Sequence, residues 1–245
     1  MLKNLKKKLK EKAFNYSKNH VGVIDNAVLA YSQEGEDLLL SKLFGPVGKG
    51  YYVDIGAHHP RLYSNTYFFY KRGWRGINVD ALPGIMQLFG KVRPEDINLE
   101  LGISNAPGEL TYHMFADPAL NTFSKEDADF RINSEKIKLE DTRVIKTYRL
   151  EEILNKHLPA GQIIDFLSID VEGLDMEVLL SNNWSKYRPR VVIIEYLRTS
   201  LEGLLKSKLH EFMKQQNYVL FSRTVNSVFF IESGSYQQLT GVKPE

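Results

Sequence analysis

Residues 51–60 read YYVDIGAHHP, and this stretch decides the fold. Tyr51–Ile55 is apolar apart from Asp54, and it passes directly into the small-residue turn Gly56-Ala57 and the polar run His58-His59-Pro60. A short strand that is apolar along its length, rather than alternating, belongs to a sheet covered on both faces, as parallel sheets are. The turn that follows then lies at the strand's carboxyl end, where open α/β sheets bind ligands.

On either side the chain alternates short apolar runs with helical stretches. Further strands are predicted at Gly76–Asp80, Asn98–Ser104, Phe166–Asp170 and Val191–Glu195. Helices are predicted at Asn65–Lys71, Leu82–Lys91, Leu150–His157, Asp175–Asn182 and Leu201–Gln216. Ahead of them, residues 31–44 (YSQEGEDLLLSKLF) read as a helix N-capped by Ser32, with Leu38, Leu39, Leu43 and Phe44 on one side. GELTYHMF and RVIKTYRL are predicted as extra short strands around Ala116–Asn133, a long polar loop suited to a lid or a substrate-recognition element. YVLFSRTVNSVFFIE then breaks the alternation and reads as an antiparallel hairpin joined through Val225-Asn226-Ser227. The expected fold is α/β and Rossmann-like, a mostly parallel doubly wound sheet ending in an antiparallel C-terminal hairpin. Class I methyltransferases have this arrangement, whereas nicotinamide-binding domains usually continue in parallel.

The chain has 245 residues, 43% of them hydrophobic, enough for one large core. The expected organisation is a basic amphipathic helix and linker at 1–30, followed by one domain at 31–245. Seven Lys and one Glu fall within residues 1–20, with Leu2, Leu5, Leu9 and Ala13 or Phe14 at helical spacing. This segment has two readings, a contact with a membrane surface or a partner and a solvated terminal helix. The overall charge is +2, so the remainder without this segment is net −4, which is unfavourable for a phosphate backbone; nucleic acid is not an expected partner. The absence of cysteine excludes disulfides, thiolate metal sites and cysteine nucleophiles. No apolar run approaches the ~18 residues of a membrane span, and the lysine-rich start lacks a signal peptide's apolar stretch. A cytoplasmic protein, peripheral to the membrane if the basic helix binds there, is the default expectation. A homodimer is a working assumption that nothing in the sequence encodes.

A dinucleotide pyrophosphate needs glycines in G-x-G-x-x-G spacing, but the positions two and five after Gly56 are His58 and Arg61. S-adenosylmethionine (SAM) has no phosphate and carries a sulfonium cation, so one glycine for close approach plus a carboxylate suits it better. Asp80 ends the second strand, 26 residues after Asp54, where it can accept both ribose hydroxyls of an adenosine. Gly102-Ile103-Ser104 ends the third strand, where an adenine edge would be read.

Five ordered blocks, YSQEGEDLLL (31–40), YYVDIGAHHP (51–60), SNTYFFYKRGWRGINVD (64–80), LSIDVEGLDMEVL (167–179) and YRPRVVIIEY (187–196), resemble the FkbM-type methyltransferases. The resemblance implies a SAM-dependent O-methyltransferase, in a family whose members act on sugars, polysaccharide precursors and macrolide-like natural products. It assigns Asp54 and Gly56 to the cofactor loop, Asp80 to the ribose, and Asp170 with Glu172 to an acidic pair after the fourth strand. Gln33, Glu36 and Ser64-Asn65-Thr66 match further hallmark positions near the cofactor.

A sugar hydroxyl needs a general base or a metal before it attacks a methyl group. Asp54, His58, Asp170 and Glu172 are expected to converge at the switch point. Two mechanisms stay open: His58 or His59 takes the proton, or Asp170 and Glu172, with Glu195 from the fifth strand, hold Mg²⁺ or another divalent cation. Tyr112, Phe115, Asn121 and Phe123 are candidate sugar contacts, and His113 could face the acceptor. Tyr67–Tyr70 and Trp74 read as core. The expected substrate is a hydroxyl of a sugar or glycan, in a surface polysaccharide or a glycosylated natural product. The alternatives are a non-sugar natural-product hydroxyl and a non-catalytic nucleoside-binding protein.

Overall fold

The protein is described by a computed structural model covering residues 28–46 and 48–243, and the basic segment 1–20 lies outside the described residues. The main body begins at Tyr31. Helix α1 (Glu36–Phe44) starts later than the sequence suggests. Ser32 Oγ bonds the Asp37 carboxylate at 2.8 Å and Tyr31 N donates to the same carboxylate at 2.7 Å, so Ser32 anchors a loop ahead of the helix and Gly35, at φ 87°, takes the N-cap position.

Seven strands form the main sheet. They are β1 (Tyr51–Ile55), β2 (Arg75–Asp80), β3 (Ile97–Glu100), β7 (Phe166–Ile169), β8 (Val191–Glu195), β9 (Tyr218–Arg223) and β10 (Ser227–Glu232), ordered β3-β2-β1-β7-β8-β10-β9. β1 pairs in parallel with both β2 and β7, while β10 runs antiparallel between β8 and β9. This is the doubly wound sheet with a C-terminal hairpin expected from the sequence, and the strand order reverses between β1 and β7. The crevice for a ligand therefore opens above those two strands.

The period-2 geometry of strands divides the core in two. Val53, Ile55, Leu167, Ile169, Val192 and Ile194 face helices α5 (Leu150–His157), α6 (Asp175–Leu180) and α8 (Lys208–Gln215). Tyr52, Phe166, Val191 and Ile193 face α1 and helix α2 (Tyr67–Tyr70), whose Phe68 and Phe69 pack with Trp74. Two departures matter for the site. The third predicted strand splits: Leu101 N makes a last bond to Asp80 O at 3.0 Å, and Gly102–Ile103 then leave as β4 to join β5 (Gly108–Phe115) and β6 (Leu139–Tyr148) in a second sheet ordered β4-β6-β5. Gly102 allows this because a Cβ there would lie 2.9 Å from both Phe123 and Thr147. The loop predicted at Ala116–Asn133 contains a 3₁₀ turn at Pro118–Leu120 and helix α4 (Lys125–Asn133), with Ser124 Oγ accepting Asp127 N at 3.1 Å as its N-cap.

Elsewhere the corrections are local. Helix α3 spans Ile85–Val92, three residues later than expected at its start. The last predicted helix is two, α7 (Leu201–Leu205) and α8, because Ser207 Oγ caps the second by accepting His210 N. The hairpin turn is Thr224–Asn226, and helix α9 (Ser233–Thr240), unanticipated, follows β10. Among the described residues no helix is long and apolar enough to cross a membrane.

Candidate active site

The turn after β1 supplies the floor. Gly56 has φ 84°, and a Cβ on it would fall 1.6 Å from the backbone oxygen of Asp170. The sequence alone attributes this glycine to close approach of a cofactor; the nearer cause is the neighbouring chain leaving β7. His58 follows at φ 52° and points its N–H at Asp80 Oδ2 (2.7 Å), while Leu82 N–H reaches Asp80 Oδ1 (2.8 Å). Each carboxylate oxygen thus holds one amide and keeps a second lone pair for another donor. Burial raises the Asp80 pKa, and the two amides oppose it.

Asp54 is buried and accepts Thr66 Oγ1–H at 2.8 Å. Thr66 Oγ1 in turn accepts from Arg93 Nη1 at 2.9 Å, and Arg93, fully buried, also meets Asp96 at 2.8 Å and Tyr52 OH at 2.7 Å. Burial pushes the Asp54 pKa up, and the Arg93 charge pulls it back. Sequence reasoning missed Arg93, Asp96 and Tyr52. Their one signal was an Arg three residues before an Asp in a turn, which is common on surfaces. Asn65 Nδ2 donates to Ser168 Oγ at 3.0 Å, tying the loop before α2 to β7.

At the other end of the crevice Asp170, Glu172 and Glu195 bring carboxylate oxygens within 4.8 Å of one another. Glu172 sits at φ 52° in the turn after β7, and Asp175 braces this turn by accepting Val171 N at 3.2 Å and Gly173 N at 3.3 Å. The inserted segment clamps it from above: Arg131 Nη2 reaches Glu172 Oε2 at 2.5 Å, and Thr122 Oγ1 donates to the Glu172 carbonyl at 2.5 Å. Neither Arg131 nor Thr122 was singled out from sequence. Burial, reinforced by the neighbouring acids, raises Asp170 well above the usual carboxylate range, Glu195 to about 8 and Asp175, despite its amide bonds, to about 7. Part of the rise at Asp170 comes from the neighbouring Glu195 charge, so the two carboxyl groups form an acid pair.

Asp54, Gly56, Asp80, Asp170, Glu172 and Glu195 line one cavity of about 310 Å³, together with Gln33, Asn65 and Ser168. His58 also lines it, its ring stacked 6.2 Å from Tyr63. Three predicted site residues lie outside it. His59 Nδ1 accepts Arg61 N and Leu62 N, so it caps a turn and does not serve as a base. Ser104 is buried, its hydroxyl accepting Ala106 N and its own N–H bonded to Tyr148 O, while Leu101, Gly102 and Ile103 line the cavity instead. Glu36 borders a separate chamber of about 20 Å³, where it receives Ser227 Oγ–H at 3.0 Å; Gln33, Asn65, Asp170 and Glu195 reach both spaces. Tyr112, Asn121 and Phe123 line the cavity, but Phe115 and His113 do not. Phe123 packs on Gly102 and lies 4.6 Å from Tyr112, so this aromatic wall closes the side next to β4.

The pocket fits an adenosyl cofactor. Asp80 keeps lone pairs for ribose hydroxyls, and the size suits the ~300–1,000 Å³ of small-ligand pockets. A pocket offering carboxylates where a dinucleotide would need amides suits a cationic nucleoside. The methyltransferase FkbM domain matches residues 54–220, more than half of the chain, so the chain belongs to that family and is a SAM-dependent methyltransferase. Among solved structures it is similar to a TehB-like SAM-dependent methyltransferase from Corynebacterium glutamicum, at 10% identity and TM-score 0.40 over 91% of this chain and 99% of that one. It is also similar to a putative RNA methyltransferase from Pyrococcus horikoshii, at 12% identity and TM-score 0.40 over 81% and 83%. No curated protein matches the sequence significantly.

Proposed function

We propose that the protein methylates a hydroxyl of a sugar or glycan, in a surface polysaccharide or a glycosylated natural product. The observation that carries this reading is the acid pair Asp170–Glu195, with Glu172 held beside it by Arg131, at the end of the cavity away from Asp80. Bound SAM supplies an electrophilic methyl group. Asp80 binds the ribose hydroxyls, and the Arg93-supported Asp54 lies between the ribose and the acid pair. Glu195, raised to about 8 by burial and the neighbouring acids, takes the proton of an approaching hydroxyl as the oxygen attacks once it is ionised, and general bases work best when their pKa lies near the operating pH. His58 accompanies Asp80, on the cofactor side.

A second reading has one observation in its favour: the oxygens of Asp170, Glu172 and Glu195 are close enough to hold a divalent cation such as Mg²⁺, which would acidify the hydroxyl in place of the carboxylate pair. The test is methyl transfer from labelled SAM to a panel of nucleotide sugars, oligosaccharides and non-sugar alcohols, before and after EDTA. Label in the sugars alone supports the reading, and label confined to non-sugar alcohols overturns it. Activity that survives EDTA excludes a required exchangeable metal.

A further inference from the structure

Carboxyl groups of Asp54, Asp80, Asp117, Asp170, Glu172 and Glu195 line the large cavity, and among the described residues no lysine or arginine lines it. The cations nearby have partners of their own. Arg131 pairs with Glu172, and Arg61, in the same loop as Tyr63, lies over the Tyr67 ring, 5.6 Å from its centroid. Burial raises the pKa values of Asp80, Asp170 and Glu195, but a protonated carboxyl is neutral and gives an incoming anion no counter-charge. Taking a charge out of water without a partner is costly, so this cavity is hostile to phosphate and carboxylate groups.

The mouth lies at the acid end. Of the lining residues, Gln33, Tyr63, Asp117 and Pro118 are exposed, whereas Asp80 is buried. Gln33 and Tyr63 also border the small chamber with Asp170 and Glu195, and from the inserted segment Asp117 stands close enough for its charge to act on Glu172. An acceptor therefore enters between the loop after β1 and the inserted segment. Tyr63 is 52% exposed, with its ring stacked on His58 at 21° between planes. Its backbone stands at φ 55°, a left-handed conformation unfavourable for a bulky side chain, and such strain collects at ligand sites. An aromatic face beside a carboxylate and a carboxamide suits an uncharged polyol ring: the C–H face lies on the aromatic ring, and the hydroxyls bond the polar groups. We propose that the acceptor is an uncharged sugar ring, held at this mouth on Tyr63 with Asp117 and Gln33 at its hydroxyls, and that a ring bearing a carboxylate or a phosphate is rejected. This rests on the sugar reading above and adds the charge of the substrate and the residues that select it.

The experiment is methyl transfer from labelled SAM to methyl glucoside, galactoside and mannoside, each beside its uronate and its 6-phosphate, by the wild type, Asp117→Asn, Tyr63→Asn and Tyr63→Phe. Asp117→Asn keeps an oxygen for the Ala119 amide that Asp117 accepts at 3.1 Å, and Tyr63→Asn suits the left-handed backbone. An unchanged melting temperature and S-adenosylhomocysteine affinity would confirm that the variants are intact. The wild type is expected to show a kcat/KM at least tenfold higher for the neutral glycosides than for the matched anions, and Asp117→Asn to narrow that ratio at least threefold. Tyr63→Asn should raise the KM for the neutral glycosides at least tenfold, with Tyr63→Phe within threefold of the wild type. Equal transfer to neutral and anionic forms overturns the proposal and leaves the sugar reading standing, as does an unchanged KM in Tyr63→Asn. No transfer to any glycoside removes the sugar reading, and this proposal with it.

Discussion

The Arg131 guanidinium, on helix α4 of the inserted segment, meets the Glu172 carboxylate in the turn after β7 at 2.5 Å. Among the described residues it is the one cation paired to the three clustered acids, and it fastens a segment remote in sequence onto the turn that carries Asp170.

Arg131→Met is expected to leave Glu172 unpaired beside two other acids. The side chains are 11% and 21% exposed, so the loss falls between that of a surface pair and a fully buried one, about 2 kcal/mol. Urea denaturation should show it, together with a rise in the pH at which activity appears, and Arg131→Lys should recover much of both. An unchanged pH profile would separate Arg131 from the acid cluster.

Gly56→Ala places a methyl 1.6 Å from the Asp170 carbonyl and adds the strain of a positive φ, so β1 and β7 must part. Loss of soluble protein, or of S-adenosylhomocysteine binding, is expected. Gly84→Ala is the control, since Gly84 has φ 86° with nothing within 4 Å, and it should cost only the ~1–2 kcal/mol of a left-handed residue. Equal denaturation midpoints for the two variants would refute the close approach.

Asp80→Ala removes the acceptor of two backbone amides and, on the proposed assignment, of the ribose. Calorimetry should show at least a tenfold weaker affinity for S-adenosylhomocysteine, which is about 1.4 kcal/mol. An unchanged affinity would mean that the ribose lies elsewhere.

The raised Glu195 pKa gives stability and activity opposite slopes. Burial, with the charges of Glu172 and Asp175, lifts it from 4.5 to about 8, so between these values the folded state binds more protons than the unfolded state. The Glu195 contribution to the stability of the ligand-free protein is therefore fully present below about pH 4.5 and is lost as pH rises through about 8, while the proposed general base becomes competent over the upper part of that range. Denaturation midpoints measured from pH 5 to 9 should decline, and Glu195→Gln should flatten the decline and abolish transfer. A wild-type midpoint that rises over this range contradicts the assignment.

The parts legible in the sequence are those that local pattern encodes. β1 at Tyr51–Ile55, β8 at Val191–Glu195 and α5 at Leu150–His157 match the sequence-based expectation to the residue, because an uninterrupted apolar run or a two-turn apolar stripe leaves one favourable conformation. α4 escaped notice because KEDADFRIN has no apolar stripe; it holds its place through the Ser124 cap and the Arg131–Glu172 pair. His59 looked equivalent to His58 in sequence, and only the folded turn shows that its Nδ1 is engaged by two amides.

Asp54, Gly56, Asp80, Asp170 and Glu195 could be placed at one crevice from sequence alone, because they end or follow strands at a switch point, and they line one cavity. The sheet, its closing hairpin and the methyltransferase class rest on that local code. Tertiary structure decided which acids meet, that Asp170 and Glu195 lie side by side, that Arg93 backs Asp54 through Thr66, and that Arg131 answers Glu172 from 41 residues away. These relationships are made by burial and by contacts between distant segments, and no local periodicity records the distance between two side chains that only the folded core brings together.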